Sequence, residues 1–84
     1  MSVSKIEKNC AYHDDVTKAT LCVSDIRDNI VYFFSVKNDG FRGYVSSIQH
    51  DDALNRFSLL GAYSLKSTGI DSLEYMWEVM IEDA

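Results

Sequence analysis

The chain contains no proline, only four glycines and only two cysteines. Because proline is absent, element boundaries must be inferred from weaker signals. The glycines are scattered along the chain, which excludes a glycine-rich phosphate-binding loop. Cys10 and Cys22 do not have C-x-x-C spacing, so we predict two reduced structural thiols rather than a redox pair.

Long apolar runs are also missing. None approaches the roughly 20 residues that a membrane-spanning helix requires, and the first ten residues have no apolar core typical of a secretory signal. We therefore expect a single domain over residues 1–84 that is cytoplasmic and has no membrane partner. A hydrophobic content of 46% argues against disorder.

Basic residues are absent after Lys66. The first 42 residues hold six basic and six acidic side chains, so residues 43–84 carry the whole net charge of −5. Binding to nucleic acid requires cationic groups that displace counterions from phosphate. An acidic half repels nucleic acid and attracts basic protein surfaces, so we predict no direct contact with nucleic acid.

The clearest local pattern is a hairpin formed by residues 29–36 and 41–48. β-branched and aromatic side chains crowd both segments, which is typical of strands. The intervening sequence KNDG contains Asn, Asp and Gly, which tolerate the positive φ of a tight reversal. We predict that this hairpin is the centre of the fold.

The N-terminal half is harder to assign. A capping-box pattern at residues 4–7 would start a short helix, whereas residues 10–12 would suit a short edge strand. Residues 12–15 have the composition of a turn. Alternation favours a strand at 16–23, followed by a polar connection over 24–29.

The sequence as a whole predicts a mainly β or α+β fold. We expect an antiparallel meander of four to five strands with one short helix near 51–56. The odd-numbered residues from 57 to 65 would share one face of a following strand. The rival arrangement packs helices 51–61 and 72–82 on a three-stranded antiparallel sheet.

The C-terminal segment 72–82 carries a row of acidic side chains. Its odd-numbered residues from 73 to 81 are all apolar, and this alternation favours a strand. Glutamates four apart share one side of either a strand or a helix, and on a strand the methionines lie between them. The candidate partner-binding residues are Glu74, Met76, Glu78, Met80, Glu82 and Asp83.

Patterns for catalysis or metal binding are weak. Only His13 and His50 could serve in a triad, and no G-x-S-x-G elbow is present, so we predict no enzyme, no catalytic residue and no cofactor. The triplet His-Asp-Asp occurs at 13–15 and at 50–52, and the two together could hold a divalent cation. Both triplets lie at predicted breaks, where Asp caps or turns the chain, so a metal sensor is the least favoured reading.

These observations favour a small acidic protein-binding module without catalytic activity. Its partner would be a basic protein, such as a nucleic-acid enzyme or complex whose binding surface it blocks in the manner of an inhibitor or immunity protein. The alternative is a self-associating assembly subunit, such as a homodimer that pairs edge strands.

Overall fold

The computed structural model of the chain describes residues 5–38, 40–67 and 77–82. Within these ranges the elements are β1 Cys10–Asp14, β2 Thr20–Arg27, β3 Ile30–Val36, β4 Arg42–Gln49, α1 His50–Arg56, β5 Phe57–Ser67 and β6 Trp77–Ile81. The predicted mainly β fold with one short helix is confirmed. The described residues contain no helix that is long and apolar enough to cross a membrane.

The strands form one antiparallel sheet with the order β4-β3-β2-β1-β5-β6. The first four strands pair consecutively, as in the predicted meander. The chain then crosses over the sheet through α1, and β5 pairs with the free side of β1. The strand predicted at residues 10–12 is therefore central rather than an edge, because it has a partner on both sides.

The predicted hairpin 29–36/41–48 is confirmed as β3 and β4, and the helix predicted near 51–56 is α1. The rival arrangement is wrong, because the helix ends at Arg56 and residues 77–81 form a strand. In the hairpin, Gly43 and Tyr44 of β4 form a bulge opposite Ser35 of β3. A Cβ at Gly43 would lie 2.6 Å from the Ser35 hydroxyl oxygen and 3.3 Å from the Ser35 carbonyl oxygen, so any larger residue would displace Ser35.

Three predictions for the N-terminal half were wrong. Residues 5–9 are not helical, and the turn predicted at 12–15 begins only after Asp14, because the preceding residues pair in β1. The strand predicted at 16–23 instead runs over Thr20–Arg27 and includes most of the predicted polar connection. Polar residues are tolerated there because the end of β2 is only partly buried.

The reversal between β2 and β3 needs only two residues. Asp28 and Asn29 have φ values of 51° and 65°, and a two-residue hairpin turn of type I′ requires positive φ at both positions. Asp and Asn reach this conformation at lower cost than most side chains. The dipeptide is therefore the turn, and the residues before it remain in the strand.

Buried side chains form two clusters, one on each face of the sheet. Cluster 1 contains Ile6, Tyr12, Leu21, Val23, Val31, Ala53 and Phe57. Cluster 2 contains Ala11, Cys22 and Phe34, packed against the partly buried Val36, Tyr63, Leu65, Val79 and Ile81. Consecutive residues of β1 and β2 enter different clusters because successive side chains of a strand point to opposite faces. Helix α1 covers cluster 1 through Ala53.

Strand β5 changes the face that it buries. The β1–β5 register shifts between Ala11 and Tyr12, which leaves Leu60 as an extra residue in β5. Before this bulge Phe57 packs in cluster 1, and after it Tyr63 packs against cluster 2. One extra residue reverses the facing of all residues that follow. The prediction that the odd-numbered residues of β5 share one face was therefore wrong.

The sheet curls around cluster 2. The rings of Phe34 in β3 and Tyr63 in β5 meet edge to face with centroids 5.6 Å apart, although β2 and β1 lie between their strands. In a flat sheet those strands would be about 14 Å apart. The curl brings the start of β4 to β6, where a bridge joins Phe41 and Glu78.

An ion pair between a buried carboxylate and a partly exposed guanidinium connects α1 to β1. Asp14 is 3% exposed, and its carboxylate accepts hydrogen bonds from the Arg56 guanidinium at 2.6 Å and from the backbone N–H groups of Val16 and Thr17. Burial by itself would raise the pKa of Asp14. The Arg56 guanidinium and the hydrogen bonds outweigh it, so the pKa lies below its usual value.

Replacing Arg56 with methionine should lower the free energy of unfolding by about 2–4 kcal/mol, because the buried Asp14 carboxylate loses its charged partner. Urea denaturation followed by circular dichroism measures this change. Arg27→Met is the matched control, since Arg27 pairs with Asp25 at the surface, where an ion pair contributes at most about 1 kcal/mol. Equal losses in the two variants would contradict a special role for the Asp14–Arg56 pair.

Asp14 should also make stability fall in acid. Its pKa is lowered in the folded protein, so below the ordinary value of 3.8 the unfolded state binds more protons than the folded state. This contribution is complete above about pH 5 and is lost as the pH falls through the folded pKa. In urea denaturation at a series of pH values, the free energy of unfolding should therefore fall less steeply with acid for Asp14→Asn than for the unmodified chain. Equal slopes would refute this role of Asp14.

Candidate protein-binding face

The exposed side of β6 carries three of the six predicted partner-binding residues. Val79 and Ile81 pack against cluster 2, so alternation along the strand directs Glu78 and Met80 to the opposite side. Met80 is 50% exposed, and Glu78 and Glu82 are exposed as well. The strand predicted for this segment is confirmed for β6.

The other predicted partner-binding residues, Glu74, Met76 and Asp83, lie outside the described residues. The structure therefore describes the centre of the predicted acidic row. There the backbone continues as a ladder one step beyond β6, because the Glu82 N–H donates to the Ala62 carbonyl oxygen at 2.8 Å.

Strand β5 supplies the neighbours of this row. Lys66 lies directly opposite Glu78, and Ser64 lies opposite Met80. Lys66 is exposed, and a cation facing a carboxylate across two strands offsets part of its charge. The sequence could not show this neighbour, because the register between β5 and β6 cannot be inferred from either strand alone.

Exposed apolar side chains lie on the same side of β5, and the sequence analysis missed them. Leu59 is 47% exposed at the β5 bulge and lies opposite Tyr12 of cluster 1. Ala62 is exposed and lies opposite Cys10, which also packs against cluster 1. Both therefore lie on the same side of the sheet as Met80. We call the surface formed by Leu59, Ala62, Glu78, Met80 and Glu82 the β5–β6 face.

The two His-Asp-Asp triplets lie at opposite ends of α1. Asp14 binds Arg56 at the end of the helix, whereas His50 begins it. The helix rises about 9 Å between these ends, and His50 accepts a hydrogen bond from the Ile6 N–H at 3.4 Å. Across residues 5–38, 40–67 and 77–82, no group of three or more His, Cys, Asp or Glu side chains could hold a metal ion.

A contact chain of Ser, Asp and His, which the sequence did not suggest, lies where β1 meets β5. The Ser58 hydroxyl donates to the Asp15 carboxylate at 2.9 Å, and His13 Nε2 lies 3.8 Å from the other oxygen of that carboxylate. Acyl transfer needs the imidazole between serine and carboxylate so that it can accept the serine proton. Here the carboxylate is in the middle, so this arrangement does not activate the hydroxyl.

The two cysteines lie on opposite faces of the sheet. Cys10 packs against cluster 1 and Cys22 belongs to cluster 2, and both thiols are free. Burial raises the pKa of the Cys22 thiol to about 12, so it is protonated and unreactive at neutral pH. The sheet between them prevents a disulfide within one chain, in agreement with the predicted structural thiols.

An open cleft of about 320 Å³ lies beside the start of α1. It is lined by Asp28, Asn29, Ile30, Gln49, His50 and Asp51. Ligand sites for small molecules are usually enclosed by apolar and aromatic walls. This cleft has mainly polar walls and is open to solvent, so it is a weaker candidate than the β5–β6 face.

Comparisons with protein-family models, with curated proteins and with solved structures each gave no significant match. Function is therefore inferred from the geometry and charge of this chain alone. On those grounds the β5–β6 face, with its exposed carboxylates and apolar side chains, is the candidate functional site.

Proposed function

We propose that this chain is an acidic, non-enzymatic protein-binding module whose β5–β6 face docks against a basic surface of a partner protein. One observation carries the proposal. Glu78, Met80 and Glu82 are exposed on one side of β6, while Val79 and Ile81 on its other side hold the strand to cluster 2. The face is thus presented to solvent by a strand that is itself anchored in the core.

The composition of the β5–β6 face suits a protein-binding surface with a charged rim. Carboxylates at a rim steer a basic partner and raise the association rate. Apolar groups at the centre lose water on binding and slow dissociation. Burying the exposed half of Met80 would contribute about 1 kcal/mol, and Leu59 and Ala62 would add to it on the same side.

Contacts beneath the face hold β5 to the core, which favours binding because less ordering entropy is lost. The Tyr63 hydroxyl donates to the Val23 carbonyl oxygen at 2.9 Å, which connects β5 to β2 across the curled sheet. The edge-to-face contact with Phe34 holds the same ring. The face therefore keeps its shape before a partner arrives.

The charge distribution indicates the class of partner. The net charge of −5 lies in residues 43–84, which include both strands of the face. Surfaces that bind nucleic acid are basic because they neutralise phosphate. A cytoplasmic nucleic-acid enzyme or complex, blocked by this chain as by an inhibitor or immunity protein, is the partner that we propose.

Reversing both charges in Glu78→Lys/Glu82→Lys should lower the association rate with the partner by about tenfold or more, with a smaller change in dissociation. The partner is captured from lysate of the native host at low salt, purified, and measured by surface plasmon resonance. Asp51→Lys/Asp52→Lys is the matched control, because it makes the same charge change at exposed positions of α1.

Equal slowing in both variants would assign the effect to net charge rather than to the β5–β6 face. An association rate unchanged by Glu78→Lys/Glu82→Lys would refute the assignment of this face. Circular dichroism of each variant confirms that the fold is retained before the rates are compared.

A further inference from the structure

The two edge strands of the sheet differ in protection. β6 has five residues and presents glutamate on its exposed side. β4 has eight residues, and from Gly43 to Gln49 it contains no charged residue. Natural edge strands are normally protected from pairing by charge, proline, shortness or a cover. Arg42 and the Gly43 bulge protect only the beginning of β4.

Side chains along this part of β4 are unusually open to solvent. Tyr44 is 93% exposed and Val45 is 51% exposed, and Ser46 and Ser47 are exposed between them and Ile48. In the described part of the chain, β3 is the only strand paired along Gly43–Gln49. Pairing with β6 lies at the residues just before β4, where a bridge joins Phe41 and Glu78 and the Val79 N–H donates to the Gly40 carbonyl oxygen at 2.9 Å.

The direction of the β4 backbone groups follows from one hydrogen bond. The His50 N–H donates to the Asn29 carbonyl oxygen at 2.8 Å, and these two residues face each other one step beyond the pair Ile30↔Gln49. Hydrogen-bonded and non-hydrogen-bonded pairs alternate along an antiparallel ladder. His50 therefore belongs to a hydrogen-bonded pair.

The same alternation assigns the rest of the strand. Ser46 and Ile48 direct their backbone N–H and C=O groups towards β3. Val45, Ser47 and Gln49 direct theirs away from β3, to the open edge. This edge offers donors and acceptors at every second residue, which is the spacing that an added antiparallel strand requires.

We propose that β4 pairs antiparallel with β4 of a second copy of this chain, about a twofold axis near Ser47. Ser47 of one chain would then face Ser47 of the other chain, and Val45 of each chain would face Gln49 of the other. A twofold interface of this kind uses the same surface on both chains. The two sheets would join into one, and the proposal depends on β4 rather than on the β5–β6 face.

Charge complementarity favours a second copy over an unrelated strand. Arg42 begins β4, and Asp51 and Asp52 follow directly after its end. Antiparallel pairing about Ser47 places the basic end of each strand beside the acidic end of the other. No like charges face each other along the pairing, whereas such a contact would be destabilising.

Amide hydrogen exchange measured by NMR at two protein concentrations tests the pairing directly. At a total chain concentration about ten times the dissociation constant of the dimer, about one fifth of the chains remain monomeric, so exchange at Val45, Ser47 and Gln49 should slow about fivefold relative to the dilute monomer. Exchange at Ser46 and Ile48 should change much less, because their N–H groups bond to β3 at both concentrations. Sedimentation velocity on the same samples should show a dimer.

Two variants disrupt the edge in different ways. Ser47→Pro removes an outward N–H without breaking a bond to β3, and proline is tolerated at such positions. Ser47→Lys places two ammonium groups against each other across the twofold axis. Both should sediment as monomers at concentrations where the unmodified chain is a dimer. Val16→Lys, an equal charge change at a turn residue that is 66% exposed, should remain a dimer.

Three outcomes would overturn the proposal. The first is a chain that stays monomeric at high concentration, with no concentration-dependent protection along β4. If the β4 amides are then protected only when a captured partner is added, the edge of β4 is assigned to that partner instead. The second is a dimer that withstands Ser47→Lys. The third is a dimer that Val16→Lys disrupts as strongly. None of these outcomes depends on binding through Glu78 and Glu82, so the two proposals can fail separately.

Discussion

The bulge at Leu60 is the constraint on which the rest of the structure depends. β5 pairs with β1 from Phe57 to Ala62 and continues beyond it, yet its first half buries Phe57 in cluster 1 and its second half buries Tyr63 in cluster 2. Only an extra residue allows one continuous strand to do both. Gly61, with a φ of 155°, follows it directly, where a side chain would be strained.

This reversal determines what the C-terminal part of the chain exposes. β6 pairs with the second half of β5, with Ile81 opposite Tyr63 and Met80 opposite Ser64. Since Tyr63 faces cluster 2, Ile81 does too, and Met80 with its flanking glutamates faces solvent. Without the bulge the same pairing would turn Met80 towards cluster 2. The exposed acidic face is therefore a consequence of packing in β5 rather than of β6 alone.

Local patterns in the sequence predicted the elements well where short-range chemistry decides them. The β3–β4 hairpin and α1 follow from side-chain type and turn residues. Alternation in β6 predicted both its strand and the shared side of Glu78, Met80 and Glu82. The central place of β1, the bulge in β5 and the position of Lys66 opposite Glu78 depend on pairing between distant segments. No periodicity within one segment encodes such a register.

The ion pair of Asp14 and Arg56 shows the same limit. The sequence predicted that Asp side chains here bind backbone amides of a turn, and Asp14 does accept hydrogen bonds from the turn that follows it. Its burial beneath the end of α1 could not be inferred, because Arg56 is 42 residues away. The two proposed interaction surfaces also arise from tertiary structure. Packing against cluster 2 exposes one side of β6, and the crossover through α1 leaves β4 at an edge.

The most direct test of the β5 reversal is a nuclear Overhauser measurement between the aromatic rings of Phe34 and Tyr63. With centroids 5.6 Å apart, their ring protons should give clear cross-peaks, and Tyr63 should give none to Phe57. Cross-peaks from Tyr63 to Phe57, without any to Phe34, would place both residues of β5 on one face. That result would contradict the bulge and the outward facing of Glu78, Met80 and Glu82 together.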